Sequence, residues 1–585
     1  MIPQISVLDC GGQYCHLIAR RVRELGVYAD VQPAEVDPER LAGRRGVILS
    51  GGPASVYEAH SPRVQRTLYD QGLALLGICY GLQLLAHDLG GEVLTGQQGE
   101  YGEAEFRTLA PGAILEGFDV VEPVWMSHRD LVGRLPPGFA RLGFTATCPI
   151  AAAADPVRRF YGVQFHPEVV HTRRGQRLLE NFVFNICQCV RDWDPTRQLP
   201  EIERQIHETA AGRNVLFFAS GGVDSTVAFA LCLRALGPER VHAAYVDTGL
   251  MRAGETEFVR TTFERLAAGV FEVVDAQAEF LAQLEGVVDP EQKRQRIGEE
   301  FVLVQERILE RGRFLDGHWI LGQGTIYPDT IESGGTPQAD RIKTHHNRVA
   351  GIQRLIAENR VVEPLRELYK DEVRALGRAL GLAPALLDRH PFPGPGLAIR
   401  CLCAASPGAP EPAAGGWILP LRSVGVQGDS RTYRAVLAVD GSPSAKSLVE
   451  ATQAVNALPS VNRAIAYCGG HGPLAAMAIT PATVTRGRLD RLRQADAIVR
   501  RLSEDSGFES QVWQFPVVLI PAGIPGRPDS VVLRPVHSID GMTASAVAMP
   551  ENLLGAIREE LLTIPGVCAV FYDLTHKPPG TIEWE

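Results

Sequence analysis

Leu73-Ala74-Leu75-Leu76-Gly77-Ile78-Cys79-Tyr80-Gly81-Leu82-Gln83-Leu84-Leu85-Ala86-His87-Asp88-Leu89 decides the fold. Leu73–Ile78 is a short apolar run and predicts a buried strand. Leu82–Leu89 predicts a helix, stopped by Gly90-Gly91. Gly77 and Gly81 flank Cys79 and permit a turn too sharp for residues with side chains. Strand, glycine turn and helix are the repeating unit of a doubly wound α/β layer.

The unit recurs outward from there. Ile5–Asp9 predicts a strand, Leu17–Leu25 a helix closed by Gly26, and Gly46–Ser50 a second strand. Trp193–Pro200, with two prolines among polar residues, predicts a linker. The alternation then restarts with strand Val215–Ala219, helix Ser225–Leu236 and strands Val241–Val246 and Phe271–Val274. Residues 404–416, rich in Ala, Pro and Gly, predict a loop that does not pack. Beyond them Leu458–Tyr467 resembles Ile564–Asp573, 106 positions later, and Asp429…Val436 resembles Asp540…Val547 at an offset of 111. Two similar offsets predict two related α+β lobes. The expected domains are 1–192, 193–400 and 401–585. The expected fold class is two doubly wound parallel-sheet domains followed by an α+β domain.

Composition narrows the function. The chain has 585 residues, 45% hydrophobic and 22% charged, ordinary for a globular protein of three to five domains. Its net charge of −10 disfavours nucleic acid as a partner. The most apolar window, near 214–236, contains Asp224, which argues against a membrane span. The start of the sequence lacks a signal-peptide pattern. Eleven cysteines are few and odd in number, which fits a reducing, cytoplasmic setting. Cys187/Cys189 and Cys401/Cys403 lack the usual zinc spacing and predict plain buried thiols.

Gly77-Ile78-Cys79-Tyr80-Gly81 is the thiol form of a nucleophile elbow, with Cys79 at a helix N-terminus where the dipole favours negative charge. Tyr161-Gly162-Val163-Gln164-Phe165-His166-Pro167-Glu168 supplies its partners. In extended backbone His166 and Glu168 point to one side, so the carboxylate can fix the imidazole tautomer. Gly51-Gly52-Pro53 follows the second strand, and the N–H groups of Gly52 and Tyr80 are candidates for an oxyanion hole. A lone cysteine or histidine would be structural; the three motifs together predict a nucleophile, a base and its orienter. This segment resembles the class I glutamine amidotransferases. The resemblance implies that Cys79 attacks the glutamine side-chain amide, with His166 as base then acid and Glu168 orienting it.

A second site lies at Ser220-Gly221-Gly222-Val223-Asp224-Ser225-Thr226, between a strand and a helix. Glycine N–H groups and a helix N-terminus suit phosphate, and Asp224 can hold magnesium. The Walker A pattern is absent. The loop resembles the PP-loop of N-type ATP pyrophosphatases, which implies cleavage between the α- and β-phosphates, with Asp247 either near the nucleoside or capping its own loop.

Further stretches narrow the match: Leu321–Ser333, Ile342–Asn347, Arg389–Leu397, Ser423–Asp429 and Lys577–Glu585. Together they are similar to the glutamine-hydrolysing GMP synthetase family over essentially the whole chain. The resemblance implies XMP, ATP with Mg2+, and glutamine as substrates, no permanently bound cofactor, and adenylation of the purine 2-oxygen before ammonia attacks. It implies XMP contacts at Asp429, Gln514, Lys577, Ile582 and Glu583. Lys577 suits a phosphate and Glu583 suits purine N–H groups; Lys343 is either a pyrophosphate cover or a surface charge. The chain departs from the family at Ser127-His128-Arg129-Asp130, where glycine is usual in place of Arg129, and at Asp9-Cys10. The long Tyr433–Val531 stretch resembles the extended form. Oligomeric state is left open, a homodimer among the options. Another PP-loop amidating ligase and a nucleotide-binding regulator are the alternatives; a tRNA thiolase would want a basic face, which the net charge disfavours.

Overall fold

The computed structural model describes residues 2–585 except 13, 97–98, 313, 333–349, 391, 414, 428–429, 442, 459 and 539–543. It divides into two compact units, Met1–Arg197 and Gln198–Glu585.

The first unit is built on a nine-stranded sheet. Its order is Ala29–Pro33, Ile5–Asp9, Gly46–Leu49, Ala74–Ile78, Phe160–Val163, Ala152–Asp155, Ala140–Phe144, Glu100–Thr108 and Val121–His128. The first five strands are mutually parallel. The other four pair antiparallel, which the doubly wound reading did not anticipate. Connection length explains the change. Only 156–159 separate Asp155 from Phe160, too few for the helical crossover a parallel pair needs. The helices Cys15–Glu24 and Tyr80–Asp88 follow their strands as the alternation requires. The chain around Trp193, expected as linker, is docked: Trp193 stacks on Tyr28 at 4.4 Å between ring centroids.

The second unit holds two large sheets. A five-stranded, wholly parallel sheet runs Phe271–Asp275, Val241–Asp247, Asn214–Ala219, Trp319–Gly322, Val361–Val362. A seven-stranded sheet runs Glu411–Ala413, Gly416–Gln427, Ser430–Asp440, Val461–Gly470, Val567–Asp573, Asp529–Leu533, Val517–Ile520. One apolar core runs from Leu216 and Val304 to Leu533 and Tyr572, so residues 400 and 401 lie inside a single unit.

In the seven-stranded sheet a hairpin, a helix and a returning parallel strand occur twice. The first set is Gly416–Gln427, Ser430–Asp440, helix Ala445–Ala457 and Val461–Gly470. The second is Val517–Ile520, Asp529–Leu533, helix Glu551–Leu561 and Val567–Asp573. The returning strands meet antiparallel at the centre, so the two copies share one sheet.

The 404–416 tract is not the unpacked loop its composition predicts. Ala404 exchanges backbone hydrogen bonds with Ala482, and Gly408 with Ile479. Backbone pairing needs no large side chain, and a Cβ on Gly408 would lie 2.5 Å from Pro420 Cγ. Among the described residues no helix is long and apolar enough to cross a membrane.

Candidate active sites

Cys79 sits at the carboxyl end of Ala74–Ile78 with φ 53° and ψ −108°, the strained turn of an elbow. Its glycine neighbours are sterically required. A Cβ on Gly77 would lie 2.5 Å from the Gly81 backbone, and one on Gly81 would lie 2.3 Å from Leu49 O. Helix Tyr80–Asp88 begins at the next residue, so the thiol stands at a helix N-terminus. Cys79 N–H donates to Val163 O at 2.8 Å, tying the elbow to the strand that leads to His166.

His166 follows Phe160–Val163 in a turn around Pro167, not in the extended backbone the sequence suggests. The expected contact forms nonetheless: Nδ1 lies 2.6 Å from Glu168 Oε1. His166 N–H donates to Trp125 O at 3.0 Å, and Thr172 Oγ1 donates to His166 O at 2.6 Å, which fixes the ring's backbone. Burial works to push the imidazole down. The Glu168 charge and hydrogen bonds with Cys79 and Glu168 outweigh it and hold His166 well above the ordinary histidine range. A buried, protonated imidazole beside a thiol can hand a proton to a leaving amine.

Gly51-Gly52 forms the facing wall. A Cβ on Gly51 would stand 2.9 Å from His166 Cε1 and 3.5 Å from Cys79 Cβ. A Cβ on Gly52 would stand 3.6 Å from Tyr80 Cγ, so these two residues are neighbours. Sequence reasoning assigned nothing to Gln83 and Gln164. Both are buried; Gln83 donates to Asp130 O at 2.7 Å and to Gln164 Oε1 at 3.3 Å, and Gln164 Nε2 reaches Cys79 Sγ at 3.5 Å. The signal was present: an amide two residues before the histidine and another one turn into the elbow helix. Ser127 O accepts from the thiol at 3.6 Å, and Arg129 is exposed two residues on.

The 220–226 loop joins Asn214–Ala219 to helix Val223–Leu236. Gly221 has φ +73°, and a Cβ there would lie 2.5 Å from Val259 Cγ2. Ser220 and Ser225 hydroxyls bond at 2.9 Å, and Thr226 Oγ1 donates to Gly222 O at 2.8 Å. Asp224 Oδ2 pairs with Lys370 at 2.5 Å, while its buried Oδ1 has no hydrogen-bond partner. One orphaned carboxylate oxygen fits a magnesium ion held mainly by substrate phosphates and water, as hard cations at phosphate sites are. Among the described residues no group of three or more His, Cys, Asp or Glu forms a protein-only metal cage. All eleven cysteines, including the two Cys-x-Cys pairs, are free. Asp247 caps its own loop: Oδ1 accepts from Gly249 N–H at 2.9 Å, and Oδ2 from Thr256 at 2.9 Å and Gln277 at 3.1 Å.

Of the five residues the resemblance implies for XMP, Asp429 lies outside the described residues, as does Lys343. Gln514 is buried, with its backbone paired to Val536. Lys577 N–H donates to Ala544 O at 2.7 Å. Ile582 O accepts from Arg534 Nε at 3.0 Å. Glu583 is gripped at both oxygens by buried Arg400, at 2.7 and 2.9 Å. Burial works against its charge, but Arg400 holds the carboxyl below the usual range. The sequence carried no signal for Arg400, which lies 183 residues from Glu583.

A thiol, an imidazole and a carboxylate brought together beyond the carboxyl ends of the adjacent parallel strands Ala74–Ile78 and Phe160–Val163 are the arrangement of a class I glutamine amidotransferase unit. Residues 6–186 match the family model for glutamine amidotransferase class-I, and residues 502–584 the model for the GMP synthase C terminal domain. The chain is 42% identical over 596 residues to a GMP synthase [glutamine-hydrolyzing] of Symbiobacterium thermophilum, covering 99% of each. It is 40% identical over 607 residues to a probable GMP synthase [glutamine-hydrolyzing] of Leptospira interrogans, covering 100% of this chain and 99% of that one. The crystal structure of a glutamine amidotransferase from Thermotoga maritima covers 32% of the chain and 99% of its own length, at 18% identity and TM-score 0.27. The chain belongs to the family of glutamine-hydrolysing GMP synthases.

Proposed function

We propose that this chain converts XMP to GMP with ATP and glutamine. The carrying observation is one sequence holding both the Cys79–His166–Glu168 arrangement and the 220–226 phosphate loop, alongside relatives similar over their full length.

At the first site Cys79 Sγ passes its proton to His166 and attacks the glutamine Cδ, and the amide oxygen becomes an oxyanion facing the N–H groups of Gly52 and Tyr80. His166 gives a proton to the nitrogen, ammonia leaves, and a thioester remains. Water activated by His166 then releases glutamate and restores the thiol.

At the second site the XMP 2-oxygen attacks the ATP α-phosphorus and pyrophosphate leaves. Ser220, Gly221, Gly222, Val223, Asp224, Ser225 and Thr226 cradle the phosphates through N–H groups and hydroxyls. Asp224 would hold Mg2+, which supplies charge neutralisation for the leaving pyrophosphate. Ammonia adds to C2 and AMP departs with the former 2-oxygen. Gln514, Lys577, Ile582 and Glu583 hold XMP, with Asp429 from the same resemblance, and a cytoplasmic location belongs to this reading. XMP carrying 18O at position 2 tests it. The label is expected in the phosphate of AMP; label in pyrophosphate, or none in AMP, would exclude adenylation at that oxygen.

A further inference from the structure

Asp573, Arg463, Arg534 and Trp584 are all fully buried. Asp573 Oδ2 accepts from Arg463 Nη1 at 2.9 Å and Trp584 Nε1 at 2.8 Å, and pairs with Arg534 Nη1 at 2.7 Å. Most of the remaining guanidinium contacts turn to one segment of chain; beyond it Arg463 Nη2 also meets Val424 O at 3.1 Å, and Arg463 Nε has no hydrogen-bond partner. Arg463 Nη2 donates to Thr581 O at 2.7 Å, Thr581 Oγ1 at 2.9 Å and Glu583 O at 2.9 Å. Arg534 donates to Ile582 O at 3.0 Å, Thr581 O at 2.8 Å and Thr575 O at 3.0 Å. Two cations and one anion thus hold the carbonyls of residues 575, 581, 582 and 583.

Stability alone does not call for this cluster, since apolar side chains of similar volume commonly serve as well or better than a buried ionic group. The internal duplication gives a second argument. At the 106-residue offset Arg463 corresponds to Ala569, and Asp573 to Tyr467. Neither charge is kept in both copies, so the sheet itself does not need the pair. The asymmetry follows the 575–583 segment, which comes after the second central strand only.

We propose that the Arg463–Asp573–Arg534 cluster positions the XMP-binding segment: it fixes the backbone between Lys577 and Glu583 without touching the nucleotide. This rests on the assignment of Lys577, Ile582 and Glu583 to XMP. A lysine keeps the charge and loses the rigid fork that two carbonyls require. A site displaced by about an ångström can lose two orders of magnitude in rate, so a graded loosening is expected to raise the XMP KM about tenfold.

The test uses the full chain driven by ammonium. XMP KM, ATP KM and the urea midpoint are measured for Arg463→Lys, Arg534→Lys and Lys577→Ala. Arg463→Lys and Arg534→Lys are expected to raise the XMP KM about tenfold with the ATP KM unchanged. Should either fail to fold, Thr581→Val, which exchanges a hydroxyl for a methyl group, is expected to move XMP KM alone by a few-fold. A raised XMP KM in Lys577→Ala beside unchanged values in the folded variants at 463, 534 and 581 would overturn the positioning role. Equal rises in both KM values with a lowered midpoint would show a general structural role and overturn it too. An unchanged XMP KM in Lys577→Ala would instead overturn the underlying assignment.

Discussion

At Cys79 the backbone holds a positive φ that few residues other than glycine adopt, and the glycines at 77 and 81 make that turn fit. The reacting atoms are therefore placed before substrate arrives. Gly51→Ala would drive a methyl group against His166 Cε1, and the glutaminase kcat/KM is expected to fall about a hundredfold. Unchanged glutamine hydrolysis would show that the wall can yield. The Glu168 charge opposes the burial that would otherwise lower His166. In Glu168→Gln that support goes, so His166 loses its proton at lower pH. The alkaline limb of the glutaminase pH profile is expected to move to lower pH; a limb that stayed in place would assign it to another group. These three residues were legible because each lies in a short motif. Gln83 and Gln164 stand beside those motifs, but what joins them is a contact spanning 81 residues, which no short motif displays.

The two nucleophile- and phosphate-bearing loops share one device, a parallel strand delivering a glycine turn to a helix N-terminus. At Gly221 the positive φ and the nearness of Val259 leave no space for a side chain. Gly221→Ala is expected to raise the ATP KM roughly tenfold while glutamine hydrolysis stays unchanged, as pyrophosphate release and glutamate release would separately show. Helix Pro290–Arg311 contributes a different element: fully buried Lys293 pairs with Glu585 at 2.5 Å and donates to Cys401 O at 3.0 Å. Lys293→Met takes the ammonium from a buried carboxylate and is expected to cost about 3–5 kcal/mol, part of it recovered by adding Glu585→Gln. Urea midpoints of the single and double variants measure this. Helices and parallel strands were legible from apolar periodicity. The antiparallel part of the first sheet was hidden because Glu100–Thr108 carries many exposed polar residues, and pairing depends on connection length. The 404–416 tract was misread because backbone bridges leave no trace in side-chain composition.

For the whole molecule, the duplicated hairpin–helix–strand appeared in the sequence as two weak offsets, and its meaning as a shared sheet needed the pairing of the two central strands. A chain of net charge −10 must bind anionic nucleotides through local cations and N–H groups, not through its overall field. Ammonia made at one site is useful only if the other is loaded, so glutamine hydrolysis is expected to rise when XMP and ATP shift the population toward a closed state. Full glutamine turnover by the free protein would contradict that coupling. The central claim is two chemistries in one chain joined by ammonia. Its most direct test is GMP formation from XMP and ATP with glutamine or ammonium as donor, in the natural protein and in Cys79→Ala. GMP and AMP from both donors, with only the glutamine reaction lost in Cys79→Ala, is the predicted result. Loss of the ammonium reaction in a folded Cys79→Ala, or no GMP from either donor, would contradict it.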